Sequence, residues 1–171
     1  MPTPLAYDPE TQPNAEAWLT LDEQERISLV ESYHRRAKIK LPSVKAHAAF
    51  HAIIESQIAL ELEAVVRAVP RLMRQGLSRH DAIHAISSVL AGHLYEQANS
   101  KTADSAEVVQ ARNDAEVERL SASEWRAKYG AVMPNPSLKL SANGVPHWPS
   151  SAGPAAHFAL AAQRATPSPP A

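Results

Sequence analysis

The stretch HAAFHAIIESQIALELEAVVRAVPRLMRQGLSRHDAIH, His47 to His84, decides how this chain folds. It opens with His47, His51 and Glu55 at four-residue intervals and closes with His80 and His84, again four apart. Between them lies helix-favouring sequence with Pro70 inside it and Gly76 as its one obvious stop. Positions four apart differ by about 40° around a helix, so His47, His51, Ile54 and Ile58 share a face with Glu55 at its edge. His80, Ser87 and Ala91 share another, with His84 close beside them. Both histidine pairs therefore sit on stripes that the apolar pattern marks as inward or partly inward.

Whether the pairs meet depends on the run between them. If residues 43–75 form one helix and the chain reverses at Gly76, opposed residue numbers sum to about 153 and His84 faces Val69, about 27 Å along the axis from His51. Only an antiparallel dimer could then join the pairs. If the run instead breaks near residues 60–63, three segments go up, down and up. The first and third become parallel, and both pairs lie in opening turns at one level. IALELEAVV holds no Gly or Pro to force that break, and a break at Pro70 would leave too short a return segment.

Composition bounds the rest. A chain of 171 residues that is 44% hydrophobic suits one modest core. Aromatics are scarce, glycines number five, and Ala, Leu, Glu, Gln and Arg dominate the middle, which favours an all-α bundle of four or five helices. The formal charge of -1 gives no global field for nucleic acid or an anionic membrane, and the cluster Arg35, Arg36, Lys38, Lys40 and Lys45 reads as a solvated surface. With no cysteine, disulfides, thiolate metal sites and thiol nucleophiles are excluded. MPTPLAYDPETQPNAE has no basic or apolar leader region, so a soluble, cytoplasmic, bacterial-type protein is expected.

Residues 1–14 hold four of the fourteen prolines and read as a flexible lead-in; residues 15–130 read as the helical domain. Thr20 and Glu23 have capping-box spacing, and Ile27, Val30, Tyr33, His34 and Ala37 follow at helical intervals. Ser43 and Ser78 are the expected caps of the two histidine helices, with Asp81 in the first turn of the second. A weaker helix is expected over DSAEVVQARNDAEVERL and a short one over SEWRAKYG. From Met133 onward the chain has eight prolines. Residues 131–171 read as a disordered tail, from which Leu138, Leu140 and Trp148 could dock on the body or recruit a partner protein.

Imidazoles one helical turn apart can bind one metal ion. Four histidines with Glu55 or Asp81 would complete a shell for a divalent metal, zinc first, with iron or manganese next if Glu55 also binds. Glu55 is either a ligand or the group that orients one, and His34, on the buried stripe of its own helix, could add another. His93, His147 and His157 have no partner at ligand spacing. No serine sits in a strained nucleophile turn, and no Gly-rich phosphate loop is present.

HAAFHAIIESQIA followed by GLSRHDAIHAISSVL resembles a set of small bacterial helical proteins classed only as a domain of unknown function, with motifs of the form HxxxHxxxExQ and GLxRHxAIHAI. The similarity runs from about Trp18 to Leu94. It implies no established reaction. It does imply that His47, His51, Glu55, Gln57, Arg79, His80 and His84 act as a group; Gln57 and Arg79, and by its place beside His80 also Asp81, are then expected to support the ligands. The turn-forming residue that often follows ExQ in such proteins favours the broken run, although Leu60 and Glu61 stand at that place here. Two other readings stay open. One is an interaction module whose histidines form a structural network with Glu55, Gln57 or Asp81. The other is a metal-dependent phosphohydrolase in which His80 and Asp81 form an HD dyad with His47 or His51 and with Asp104 or Asp114.

Overall fold

The computed structural model describes residues 6–39, 43–100 and 104–129. Among these the chain is all-α, with seven helices: α1 (Ala15–Thr20), α2 (Glu23–Arg36), α3 (Val44–Ala59), α4 (Glu63–Arg74), α5 (Arg79–Asn99), α6 (Ala106–Arg119) and α7 (Ala122–Tyr129). The number exceeds four or five because α1 is a separate element and the run from Ser43 divides. It divides at Leu60–Leu62, within the interval where a break would let the histidine pairs meet.

The break is a Schellman closure built without glycine. Leu62 N–H donates to Gln57 O and Glu61 N–H to Ile58 O, both at 3.0 Å, while Glu61 takes φ 58°. A side chain in that left-handed region costs about 1–2 kcal/mol. The same closure ends α2, where Lys38 has φ 54° and Ile39 N–H reaches His34 O at 3.1 Å. It also ends α4, where Gly76 has φ 93° and Leu77 N–H reaches Leu72 O at 3.2 Å. Three successive helices thus stop by one device, and one of the three uses the residue that announces it.

Pro70 stays inside α4 without ending it. It removes the amide that would reach the Val66 carbonyl, but Pro70 and Val66 are both exposed, so that carbonyl faces water rather than the core. The buried face of α4 is Val65, Ala68, Val69 and Leu72, which pack with Ile83, Ile86 and Leu90 of α5 and with Val117 and Trp125. Arg71 fastens α4 to the end of α6 by donating to the carbonyls of Val117 and Leu120.

Ser43 and Ser78 cap α3 and α5 by accepting from Ala46 and Asp81 N–H, as expected. The capping box at α2 is displaced by two residues from the expected one: Asp22 and Glu25 exchange bonds of 2.8 Å. Thr20 instead closes α1, donating to Ala17 O. A six-residue helix is too short to persist alone, and side chains from two other helices hold α1 in place. Trp18 Nε1 donates to Ser56 Oγ at 3.1 Å, and Arg26 donates to the carbonyls of Trp18 and Leu19.

Part of the expected lead-in is built into the body. Tyr7 is 3% exposed and packs against Trp18 and Tyr33. The tail, with Leu138, Leu140 and Trp148, lies outside the described residues. Among the described residues no helix is long and apolar enough to cross a membrane.

Candidate metal centre

Each histidine of the cluster is aimed by its helix. His34 lies on the buried stripe of α2 with Ile27 and Val30. His47 and His51 occupy the first two turns of α3, and His80 and His84 those of α5. The last two turns of α2 and the opening turns of α3 and α5 come together. One nitrogen from each of His34, His47, His51, His80 and His84 lies within 4.8 Å of every other, an arrangement that could hold a metal ion. In the sequence, His34 is marked only by its place on the buried stripe, because its partners are remote along the chain.

The two histidine helices meet, but not as a parallel pair. His47 approaches His84, and two turns further along α3 Glu55 approaches Arg79, at the very start of α5. Successive residues of α3 therefore meet earlier residues of α5. Both pairs sit near the beginnings of their helices, so a crossing there brings them to one level without parallel axes.

Each ring brings one nitrogen to the group. His34 Nδ1 lies 2.8 Å from Val30 O, which can only accept, so Nδ1 carries the proton and Nε2 keeps its lone pair. That Nε2 is 3.1 Å from His47 Nε2, which is 3.2 Å from His84 Nε2. His51 Nε2, His80 Nε2 and His84 Nδ1 are buried and have no hydrogen-bond partner. Burial, reinforced by the neighbouring imidazoles, pushes His47 down to about 3. Burial and His34 likewise push His80 down to about 4. His51 and His84 are lowered well below the ordinary range for the same reasons, burial first. At neutral pH the five rings are uncharged and able to act as ligands.

Their spread suits one ion. Nitrogens around a metal at about 2.1 Å are about 3.4 Å apart in a tetrahedron and about 4.2 Å apart when opposed, so separations of up to 4.8 Å need to contract by about 0.6 Å or more around an ion. Five neutral donors would leave the full charge of a divalent ion uncompensated by its ligands.

Glu55 stands behind this group rather than in it. Its side chain is fully buried, and Arg79 grips it with two bonds, Nη1 to Oε1 at 2.8 Å and Nη2 to Oε2 at 2.7 Å. Burial opposes the charge on Arg79, but the bonds and charge of Glu55 hold it above its ordinary range. Tyr7 Oη donates to Glu55 Oε1 at 3.0 Å and lies 3.0 Å from His51 Nδ1. Burial and the nearby Glu55 raise the phenol well above its usual range, so it keeps its proton. Arg79 Nη1 also donates to Pro9 O, tying down the segment that carries Tyr7.

Gln57 is buried, but its Oε1 has no hydrogen-bond partner, and Asp81 is turned to its own helix start, where it meets Ser78 and the charge of Arg126. Asp104 pairs with Arg112, and Asp114 accepts from Gln110. Among the described residues, the group that could hold a metal contains no aspartate, although the charge of Asp8 acts on His80, and the HD dyad of the phosphohydrolase reading is not assembled. His93 is buried apart from the cluster, with Glu116 at 3.3 Å and Glu96 at 3.8 Å. No family model, no curated protein and no solved structure matches the chain.

Proposed function

We propose that this chain is a metal-binding protein whose five clustered histidines share one divalent ion inside the bundle. The observation that carries the reading is the set of buried imidazole nitrogens with no hydrogen-bond partner, His51 Nε2 and His80 Nε2 above all, in a cluster of neutral rings. Each buried polar atom left without a partner costs about 1–3 kcal/mol, and in this cluster, where one nitrogen from each of five rings lies within 4.8 Å of the others, a single ion could serve several at once. Metal coordination uses the same lone pairs.

The donor set bears on which ion. Imidazole alone suits zinc, copper, nickel and iron, whereas manganese favours carboxylate oxygen, and Glu55 is held by Arg79 and Tyr7. Zinc remains the first choice. A bound ion would supply Lewis acidity or an activated water at any remaining coordination position. The chain's own contribution is a dry, rigid nest of neutral nitrogens.

The test is elemental analysis of untagged protein beside the double variant His51→Ala, His84→Ala. About one ion per chain in the parent and none in the variant is the expected result. A metal-free parent whose stability ignores both added metal and chelator would overturn the reading in favour of a structural network.

A further inference from the structure

We propose that Tyr7 is a positioning residue of this centre: its hydroxyl, held by Glu55, fixes His51 in the tautomer whose bare Nε2 faces the other imidazoles. The consequence for metal affinity rests on the metal-binding reading above; the tautomer itself does not.

The argument follows the protons. Glu55 offers only acceptors, and Oε1 takes one bond from Arg79 and one from the Tyr7 hydroxyl. A phenol has one proton, and here it is given to Glu55. Toward His51 Nδ1, 3.0 Å away, the phenol oxygen can therefore only accept. Nδ1 must carry the hydrogen. A neutral imidazole has one N–H, so Nε2 is left bare, and this is the nitrogen found buried without a hydrogen-bond partner. Free imidazole side chains in water favour the opposite tautomer, with the proton on Nε2, so the state of His51 is imposed by its surroundings.

The support behind this choice is stiff. The carboxylate that sets the phenol is itself set by a bidentate guanidinium, and the same guanidinium holds Pro9 O at 2.8 Å, two residues after Tyr7. One arginine thus orients both the acceptor of the hydroxyl and the backbone carrying it. His34 is fixed in the same sense by a different device, the Val30 carbonyl within its own helix. It provides an internal control: a change at Tyr7 should leave it untouched.

Tyr7→Phe removes the hydroxyl and keeps the ring, which packs on Trp18, Tyr33 and His51. Long-range proton–nitrogen correlation spectra of the metal-free protein at neutral pH report which nitrogen of each imidazole is protonated. In the parent, His51 and His34 should both be protonated on Nδ1. In Tyr7→Phe, His51 should shift toward the Nε2–H form while His34 stays as it is, and zinc affinity, read by competition with a chromophoric chelator, should fall about 10- to 100-fold. A parent His51 protonated on Nε2 overturns the proposal even if the variant fails to fold. So does a folded Tyr7→Phe with unchanged tautomer, or with unchanged zinc affinity. A parent that takes up no zinc, with His51 still switching on loss of the hydroxyl, would sink the metal reading and leave the tautomer assignment standing.

Discussion

The two halves of this bundle differ in how much of their interior is polar. Where α4, α5, α6 and α7 meet, Val65, Leu72, Ile83, Ile86, Leu90, Val117 and Trp125 close the interior with apolar side chains. Where α2, α3 and the start of α5 meet, His34, His47, His51 and His80 are also buried, with a glutamate and an arginine behind them and a small apolar cluster of Trp18, Ile27, Val30, Ala48 and Ala52 beside them. One helix, α5, serves both halves. The apolar half is stabilised by burial itself, at about 25 cal/mol per Å² removed from water. The histidine half spends burial on polar atoms and so depends on what fills it.

The sharpest way to break the comparison is to substitute in each half and add metal. Leu72→Ala should lower stability by about 2–5 kcal/mol equally with and without zinc, as a cavity does. His51→Ala, His84→Ala should instead abolish the gain from zinc, which reaches about 4 kcal/mol at a thousandfold excess over the dissociation constant. Urea unfolding of both variants, with metal and with chelator, measures the difference. Equal responses in the two would erase the distinction.

Next in size is the ion pair that supports the polar half. Arg79→Met leaves Glu55 buried without its partner and should cost about 3–5 kcal/mol. Removing Arg67, whose pairs with Glu63 and Glu118 lie at the surface, should shift the curve far less. The same denaturation curves decide it.

Acid sharpens the contrast further. His47 titrates at about 3 and His80 at about 4 in the folded chain. In the unfolded chain both return to about 6.5. Between these values the unfolded state binds more protons, so the stability of the metal-free protein rises with pH and is lost as pH falls below about 6.5. Each imidazole held neutral contributes a slope of up to about 1.4 kcal/mol per pH unit. Urea midpoints at pH 7 and pH 5 in chelator should differ accordingly. A flat profile would mean that the rings are not held neutral by burial.

The smallest expected effect concerns the turn that allows the halves to exist. Glu61→Gly relieves a side chain from the left-handed region and should stabilise the protein by about 0.5–1 kcal/mol, the reverse of the usual effect of glycine. A loss of stability there would show that the Glu61 side chain contributes more than its backbone strain removes.

That turn also marks where the sequence stops being readable. Ser43, Ser78 and Gly76 carry their signals locally, because a cap or a left-handed stop needs only the neighbouring peptide groups. The convergence of His47, His51, His80 and His84 was legible only on condition of a break that Leu60 and Glu61 do not announce. Packing of α3 and α4 onto α5 imposes that break against local preference. The crossing of α3 and α5 was not legible at all, since register along an axis says nothing of the angle between two axes. Glu55 was seen as part of the group, but whether it faces the ion or stands behind it depends on Arg79 and Tyr7. Tyr7 itself lies in a proline-rich stretch whose composition suggests no order, and its bonds to Glu55 and His51 span 48 and 44 residues.

Those long spans bear on the order in which the molecule assembles. α3, α4 and α5 follow one another through short turns, so their mutual contacts can form early and fast. The bond from Arg79 to Pro9 joins residues 70 apart and closes a large loop. Loop closure on that scale carries an entropic penalty that only a nearly finished structure offsets. The latch over the histidines should therefore form after the rate-limiting step of folding. Interactions absent from the transition state act on the rate of unfolding rather than of folding. A ligand held beneath that latch would lengthen the life of the folded protein while leaving the speed of its formation nearly unchanged.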